Sequence, residues 1–239
     1  MWRLFVKEIN TFFDQLSGYL LLLAFLTALG LVVWVFPETS VLEYGFADLE
    51  ALFVYTPFVF VFLVPAITMR MIAEERKSGT WELLVTSPLS NSQIILAKYA
   101  AALALIVLAL LPTLIYYYSV YQLGDPVGNL DSAGFFGSFI GLILIGAVFA
   151  AIGLFSSSLS DNQITAFVIG VFLGFLFYFG LSAIASLQRN QAALFLEELS
   201  LSYHYNSMGR GVIDSSNLVY FVSLIGTLLV LTGIKIKRA

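Results

Sequence analysis

The stretch ERKSGTWELLVTSPLS, from Glu75 to Ser90, is a dense segment of mixed charge that lies between two long apolar runs. A helix that crosses a bilayer needs about 20 mostly apolar residues, and both flanking runs are long enough. The segment therefore joins two membrane spans at one surface of the membrane. The question it raises is why so hydrophobic a chain places an amphipathic, charged segment between two spans.

The composition of the chain is that of a membrane protein. Its residues are 60% hydrophobic and 11% charged, whereas soluble domains carry roughly a quarter charged residues. Lipid is therefore the expected solvent, and we predict an all-α membrane protein. The modest net charge of −4 and the lack of a basic patch argue against a nucleic acid partner. The absence of cysteine excludes disulfides and thiolate metal sites.

Six apolar stretches are long enough to cross a bilayer, and we assign them to a single transmembrane domain over residues 1–239. The predicted transmembrane helices are 18–36, 53–70, 92–121, 134–156, 163–187 and 217–234. The third is longer than a bilayer requires, so we expect it to tilt or to bend at Pro112. Pro57 and Pro65 lie inside the second span, where neighbouring groups can satisfy the carbonyls that a proline leaves free.

Residues 1–17 form an amphipathic segment before the first span, with apolar and polar side chains on opposite faces of a helix. The apolar face comprises Trp2, Phe5, Ile9, Phe12, Phe13 and Leu16, and the polar face comprises Arg3, Lys7, Asn10 and Asp14. Such a helix can lie flat at the level of the lipid headgroups. The apolar run that follows is longer than the core of a signal peptide, so we expect the first span to be retained.

The distribution of Lys and Arg predicts the orientation of the chain. Six spans place both termini on one side, and short cytoplasmic loops are enriched in these residues. The terminal side would carry Arg3, Lys7, Arg70, Arg76, Lys77, Lys98, Lys235, Lys237 and Arg238, and the other side only Arg189 and Arg210. We therefore predict a multi-pass protein of the cytoplasmic (inner) membrane with both termini in the cytoplasm.

Two helix starts carry a capping-box signature, Ser-x-x-Gln before an apolar run. They are SNSQ, which begins at Ser90, and SDNQ, which begins at Ser160. The stretch between the last two spans, from Gln188 to Asn217, contains an apolar piece that is too short to cross a bilayer. We expect one or two short re-entrant helices there, at the outer surface.

The sequence offers little that could carry catalysis. It contains no Gly-x-x-x-x-Gly-Lys-Ser/Thr loop for a nucleotide, and no convergent acid, base or metal ligands lie within the spans. His204 stands beside two tyrosines, which is typical of an ordinary side chain at headgroup level. Four acidic residues of the first outer loop could bind a cation, but we interpret them as solvated loop residues. They are Glu38, Glu43, Asp48 and Glu50. We predict no catalytic, cofactor-binding or metal-binding residue in this chain.

The region 74–90 admits two interpretations. If it is helical on either side of Gly79, then Trp81, Leu84 and Val85 share one face and Glu82 points elsewhere. The charged residues before the glycine are Glu74, Glu75, Arg76 and Lys77. An apolar face with a tryptophan is typical of a protein interface, but a connector that lies on the membrane surface has the same pattern. Spacing alone does not separate the two.

A longer motif around this segment resembles a known family. RMIAEERKSGTWELLVTSPLSNSQIILAKY, from Arg70 to Tyr99, is similar to the signature of ABC-2 type transporter permeases. The matching positions are Glu74, Glu75, Arg76, Gly79, Thr80, Glu82, Leu83, Leu84, Thr86 and Pro88, with Lys98 as the basic residue that opens the third span. FADL from Phe46, LGDPVGNLD from Leu123 and SLSDNQI from Ser158 further resemble the permease of the gliding-motility-associated ABC transporter of Bacteroidota.

The resemblance implies an ATP-driven, exporter-like ABC transporter that serves gliding motility or associated secretion. An ABC ATPase dimer would hold ATP and Mg, and a second permease chain with an extracytoplasmic domain would pair with this chain in the lipid bilayer. The coupling region 74–90 would contact the ATPase through Glu74, Glu75, Arg76, Lys77, Gly79, Thr80, Trp81, Glu82, Leu83 and Leu84. Residues 1–17 would form a connecting helix that includes Trp2, Arg3, Phe5, Lys7 and Phe12.

Two other functions stay open. An ion-coupled secondary transporter usually keeps ionisable groups inside the membrane, and we identify none between the ends of these spans, which argues against that function. A structural membrane anchor of a motility or secretion machine fits the same sequence. No residue pattern identifies the substrate or the direction of transport.

Overall fold

The computed structural model describes residues 1–187, 191–209, 211 and 214–237, and every regular element among them is helical. Within these residues, six helical segments are long and apolar enough to cross a membrane: Leu16–Trp34, Glu50–Lys77, Asn91–Leu123, Ser132–Leu159, Gln163–Ser186 and Ser215–Lys237. The prediction of an all-α membrane protein with six transmembrane helices is confirmed. Arg189, Arg210 and Arg238, which entered the orientation prediction, lie outside the described residues.

Several spans are built from more than one helix. The helices are α1 (Trp2–Phe13), α2 (Leu16–Trp34), α3 (Val41–Tyr44), α4 (Glu50–Thr68), α5 (Arg70–Lys77), α6 (Thr80–Val85), α7 (Asn91–Leu110), α8 (Leu114–Leu123), α9 (Ser132–Leu159), α10 (Gln163–Phe175), α11 (Leu181–Ser186), α12 (Gln191–Glu198), α13 (Leu201–Met208) and α14 (Ser215–Lys237). The helical segment of the second span is α4 continued by α5, and it runs on to Lys77, beyond the predicted end of the span at residue 70. The charged residues from 74 to 77 are therefore the last turn of this helical segment.

The third and fifth spans each contain a break in the α-helix, and the sequence predicted only the break in the third. A 3-10 turn at Leu111–Thr113 joins α7 to α8 and contains Pro112, where the bend was expected. A π-helical turn at Leu176–Gly180 joins α10 to α11. It was not predicted, because a single wide turn contains no proline and leaves the apolar composition unchanged.

The helix α9 is the centre of the bundle and packs against α4, α7, α10 and α14. Its sequence is rich in glycine, alanine and serine. Small residues let helix backbones approach closely in lipid, where the hydrophobic effect does not drive helices together. Gly146 lies against Ile106 and Phe60, and Gly153 lies against Thr68. The spans α2 and α14 and the fifth span surround this centre and leave most of their surface unburied.

One serine of α9 interrupts the second span at the joint between α4 and α5. Ser157 Oγ accepts the backbone amides of Ile72 and Ala73 at 3.1 and 3.0 Å, and it donates to the carbonyl of Met69 at 2.9 Å. In a continuous helix the amide of Ala73 would bond to that same carbonyl, so the hydroxyl is inserted into the hydrogen-bond ladder. The Ser157 side chain is fully buried, and the joint is therefore part of the packed core.

Only one of the two predicted capping boxes is present. Ser90 and Gln93 exchange both reciprocal hydrogen bonds at the start of α7. The box predicted at Ser160 is wrong, because Asn162 caps α10 by accepting the amide of Ile164 at 2.9 Å. Ser160 instead accepts the amide of Asn162 at 3.1 Å. The tetrapeptide pattern is the same in both places, but the second helix begins two residues later within it.

The two ends of the bundle differ in what covers them. The proximal end is where α1 and α6 lie, and the distal end is where α4 begins. Two short helices, α12 and α13, precede the last span, as predicted. Leu201, Tyr205 and Met208 of α13 are buried, and Tyr205 Oη donates to the carbonyl of Phe53 at 2.9 Å. The helix α13 therefore closes the distal end of the bundle against the start of α4.

We predict that Gly153→Ala destabilises the bundle by roughly 1–3 kcal/mol, the usual cost of overpacking. A β-carbon at Gly153 would overlap the side chain of Thr68. The measurement is the thermal unfolding midpoint of the purified chain. Gly226→Ala is the matched control, because nothing lies within 4 Å of a β-carbon there, and its midpoint should stay the same or rise. Equal midpoints for the two variants would contradict the close contact of α9 with α4.

Candidate functional site

A fully buried lysine lies at the proximal end of the bundle, among three helices that are distant in sequence. Lys98 of α7 has no exposed surface. Its Nζ lies 2.8 Å from Glu8 Oε1 of α1, 2.6 Å from Glu75 Oε2 of α5 and 2.6 Å from the carbonyl oxygen of Met71. The contact with Glu75 is ionic and lacks hydrogen-bond alignment. Three oxygen atoms thus surround an ammonium group that has three hydrogens.

A second lysine completes the group. Lys7 Nζ lies 2.6 Å from Glu75 Oε1 and 3.7 Å from Glu8 Oε1. We call Lys7, Glu8, Glu75 and Lys98 the ion cluster. It has two positive and two negative charges, so it is neutral as a unit.

The ion cluster changes the protonation of Lys7, which is half-exposed. Burial alone would lower the pKa of Lys7, but the hydrogen bond and charge attraction of Glu75, helped by Glu8, outweigh it and raise the pKa above its ordinary value of 10.5. A raised pKa means that the charged form is favoured in the folded state. This contribution to stability is present below pH 10.5 and is lost as the pH rises through the folded-state pKa.

The ion cluster specifies how α1 lies against the second and third spans. A buried ion pair gains little net stability over an apolar pair, but removal of one partner leaves an uncompensated charge and costs roughly 3–5 kcal/mol. Any sliding of α1 by a turn would move Glu8 away from Lys98 and incur that cost. The helices α1, α5 and α7 are therefore held in one arrangement at the proximal end.

The helix α1 has three faces, where the sequence indicated two. Leu4 and Glu8, one turn apart, are buried against the bundle. Trp2 is 73% exposed and stacks on Phe5, so the tryptophan does not anchor the helix to the bundle. Arg3 is exposed on the polar face.

Other α1 residues support the helix without joining the ion cluster. Phe12 is partly buried against the core, and its carbonyl approaches Gly18 at the start of α2. Phe12 also lines a cavity of about 140 Å³ with Lys7, Glu8 and Glu74. Glu74 itself is half-buried.

The helix α6 is attached to the bundle by Trp81 and Leu84, two of the residues predicted to contact a partner. Gly79 has φ 73°, a left-handed conformation that glycine adopts without strain, and it turns the chain from α5 into α6. Trp81 and Leu84 pack against a buried cluster that contains Leu4 and Ile94. The predicted shared face is wrong for Val85, which is 44% exposed. The tryptophan therefore faces the chain's own α1 and α7.

The opposite side of α6 is open. Leu83 is 71% exposed, and Glu82, Thr86 and Pro88 are also exposed. An exposed leucine next to a carboxylate on a rigid helix is a combination that a partner protein can contact. The α6 outer surface comprises Glu82, Leu83, Val85, Thr86 and Pro88.

A further set of contacts ties the turn before α6 to the end of α9. Arg76 donates to the carbonyl of Ser158 at 2.8 Å and lies 3.9 Å from Asp161. Its guanidinium also lies over the Trp81 ring at 5.8 Å. Lys77 is exposed, and Thr80 Oγ1, also at the surface, donates to the carbonyl of Glu75 at 3.3 Å. Arg76 and Glu75 therefore make contacts within the chain, and their predicted contact with a partner stays a prediction.

The sequence interpretation missed Glu8 and misjudged Lys98. Lys98 was counted as a loop cation, and the third span was taken to be free of ionisable residues between its ends. That statement is wrong, because Lys98 lies inside α7 and is fully buried. Two signals were available in the sequence. Lys98 lies inside an apolar run, and Glu8 follows Leu4 by four residues on an amphipathic helix.

His204 lies outside the ion cluster, in α13. His204 Nδ1 lies 2.8 Å from Asn217 Oδ1, and Nε2 lies 2.8 Å from the carbonyl of Glu198, while its ring stacks on Tyr220. It links α12, α13 and α14. Within the described residues, no group of three or more His, Cys, Asp or Glu side chains could hold a metal ion.

Comparison with known proteins gives one finding about the family. Residues 37–234 match the sequence model of a family described as "ABC-2 family transporter protein". The match covers most of the chain, including α6 and Lys98. A search of curated proteins found no match.

We predict that Lys98→Met destabilises the chain by roughly 3–5 kcal/mol, because Glu8 and Glu75 would then be buried with one cation fewer. Addition of Glu8→Gln to Lys98→Met removes one of the two carboxylates, so this double variant should recover part of the stability that Lys98→Met loses. The measurement is the unfolding midpoint and the yield of folded protein. Lys77→Met is the matched control, since Lys77 is exposed, and it should resemble the native chain. If the double variant lost as much stability as Lys98→Met and Glu8→Gln lose together when made singly, the result would contradict a coupled cluster.

Proposed function

Because this chain belongs to the ABC-2 transporter family and is a membrane subunit of an ABC transporter, we propose that the α6 outer surface is where its ABC ATPase docks. One observation supports this most directly. The inner side of α6 is packed on the chain's own core, while Leu83 and Glu82 of the outer side are exposed. A rigid helix with an unburied leucine at the proximal end fits a docking element better than a loop does.

The coupling region is narrower in this proposal than the sequence suggested. Glu82 and Leu83 contact the ATPase, together with Val85, Thr86 and Pro88. Glu74, Glu75, Arg76, Trp81 and Leu84 hold α6 in place from within. Lys77, Gly79 and Thr80 lie at the exposed turn between the two groups. The partly buried position of Trp81 and the packing of Leu84 support this division.

The helix α1 is the connecting helix of this proposal. The ion cluster joins it to α5, and the packing of Leu4 with Trp81 and Leu84 joins it to α6. ATP and Mg are held by the ATPase dimer, and closure of that dimer displaces α6. Because α1, α5 and α6 are packed together around the ion cluster, the displacement reaches the second span as a rigid-body shift.

The assembly and its setting complete the proposal. We place the proximal end in the cytoplasm, on the inner membrane, because most of the Lys and Arg residues lie at that end. A second permease chain, with an extracytoplasmic domain, pairs through apolar surface that α2, the fifth span or α14 leaves unburied. A role in gliding motility or associated secretion is supported by the resemblance of the short sequence pieces given above.

The ion cluster also bears on the alternative of ion-coupled transport. A proton or ion relay needs groups that change charge or exchange ligands during the cycle. In the ion cluster each charge is met by an opposite charge at the end of the bundle, and Lys98 is enclosed. This arrangement favours a structural lock over a relay.

We predict that Glu82→Lys reduces copurification of the ATPase, and ATP turnover by the assembled complex, by about tenfold while the chain still inserts into the membrane. Leu83→Ser should act in the same direction, because about 1–2 kcal/mol of apolar burial is lost. The readout is the ratio of ATPase to this chain after purification in mild detergent.

Matched controls lie at the distal end. Glu43→Lys makes the same charge change, and Leu42→Ser makes the same apolar loss at a leucine that is 63% exposed. Neither should alter the ratio. Unchanged copurification and turnover in both α6 variants would show that the ATPase docks elsewhere.

A further inference from the structure

The distal end of the bundle contains a large cavity of about 1160 Å³ that plays no part in ATPase docking. It lies between the start of α4, the start of α9, the π-helical turn of the fifth span and α13. Its lining changes character with depth. The rim carries the carboxylates of Asp48, Glu50 and Asp131, and the inner wall carries Phe53, Phe58, Phe135 and Phe179.

The depth of the cavity follows from its position along α4. Glu50 and Phe58 are eight residues apart, which is about 12 Å along a helix. Phe58 is 45% exposed on a helix that is long and apolar enough to cross a membrane. Its ring centroid lies 4.2 Å from that of Phe179. The cavity therefore runs from the polar rim along the apolar part of α4 and opens at the side of the bundle beside this aromatic pair.

Two hydroxyl groups in the wall have no partner among the described residues. Ser138 is 7% exposed and Tyr178 is 5% exposed, and both line the cavity. Neither hydroxyl makes a hydrogen bond to the described part of the chain, and neither oxygen is fully enclosed by protein, so both are open to the cavity. A polar group inside the cavity would satisfy them.

Among the described lining residues, every charged side chain at the rim is negative. Asp48 and Asp131 each accept a backbone amide through Oδ1, from Glu50 and Gly134, and neither Oδ2 accepts a hydrogen bond from a described residue. No described lysine or arginine lines the cavity. Arg210, which follows the lining residue Gly209 in sequence, lies outside the described residues.

We propose that the distal cavity is a binding site for a cationic amphiphile that enters from the adjacent leaflet of the membrane. The positive group lies at the carboxylate rim, a polar group of the ligand meets the hydroxyls of Ser138 and Tyr178, and the apolar part stacks on the phenylalanine wall. Aromatic faces add to the attraction, because a cation is drawn to the face of an aromatic ring. The described lining belongs to this chain, and the site does not depend on ATPase docking.

The test uses two ions of the same shape and opposite charge, tetraphenylphosphonium and tetraphenylborate. The full chain is reconstituted in phosphatidylcholine nanodiscs without ATP, and binding of each ion is measured by equilibrium dialysis against empty nanodiscs. We expect saturable binding of one tetraphenylphosphonium per chain that weakens with added salt, since rim charges are screened. Tetraphenylborate should not bind above the empty nanodiscs.

Variants locate the site. Asp48→Asn with Glu50→Gln should weaken tetraphenylphosphonium binding about tenfold, and Ala183→Trp, which fills the cavity from an exposed wall position, should abolish it. Glu43→Gln with Asp125→Asn removes the same total charge from exposed residues outside the lining and should leave binding unchanged.

Three results would overturn the proposal. They are binding no greater than in empty nanodiscs, equal binding of the borate, and an equal loss in the control double variant. Because no ATPase is involved, these results are independent of the copurification experiment on α6.

Discussion

A lysine ammonium group enclosed in an apolar bundle must be surrounded by oxygen atoms, and this requirement determines how the proximal end of the chain is built. Lys98 has no exposed surface, and the atoms that meet its charge come from Glu8 of α1, from Glu75 of α5 and from the Met71 carbonyl of α5. The helix α1 belongs to no span, and in a purely apolar arrangement it could slide along the membrane surface. The carboxylate of Glu8 removes that freedom.

The second span connects the two ends of the molecule. Its first turn carries Glu50 at the rim of the distal cavity, and its last turn carries Glu75 in the ion cluster. Between them, Ser157 interrupts the helix ladder at the α4–α5 joint. A displacement that begins at α6 therefore meets the central helix α9 at this joint before it can reach the distal end. The α4–α5 joint and α9 thus connect the ATPase-docking end of the chain with the distal cavity.

The sequence predicted features that depend on composition and local pattern. Six apolar runs gave six spans, Pro112 marked the turn between α7 and α8, and Gly79 marked the turn into α6. The sequence did not show which side of α6 is buried, because Trp81 and Leu84 fit an interface with another protein as well as they fit α1. The sequence also did not show which charged residues pair when they are far apart in the chain. Glu8 and Lys98 are 90 positions apart, and no local pattern connects a surface-helix glutamate with a lysine inside an apolar run.

The measurement that tests the central claim most directly is the distance between α1 and α5 with and without ATP. The chain contains no cysteine, so spin labels can be attached at Asn10→Cys and Lys77→Cys, both exposed positions, in the complex assembled with its ATPase. The account predicts the same narrow distance distribution in both nucleotide states, because the ion cluster moves as one body. A distance that changes with ATP while Lys98 and Glu8 are intact would contradict it, since α1 would then move independently of the second span.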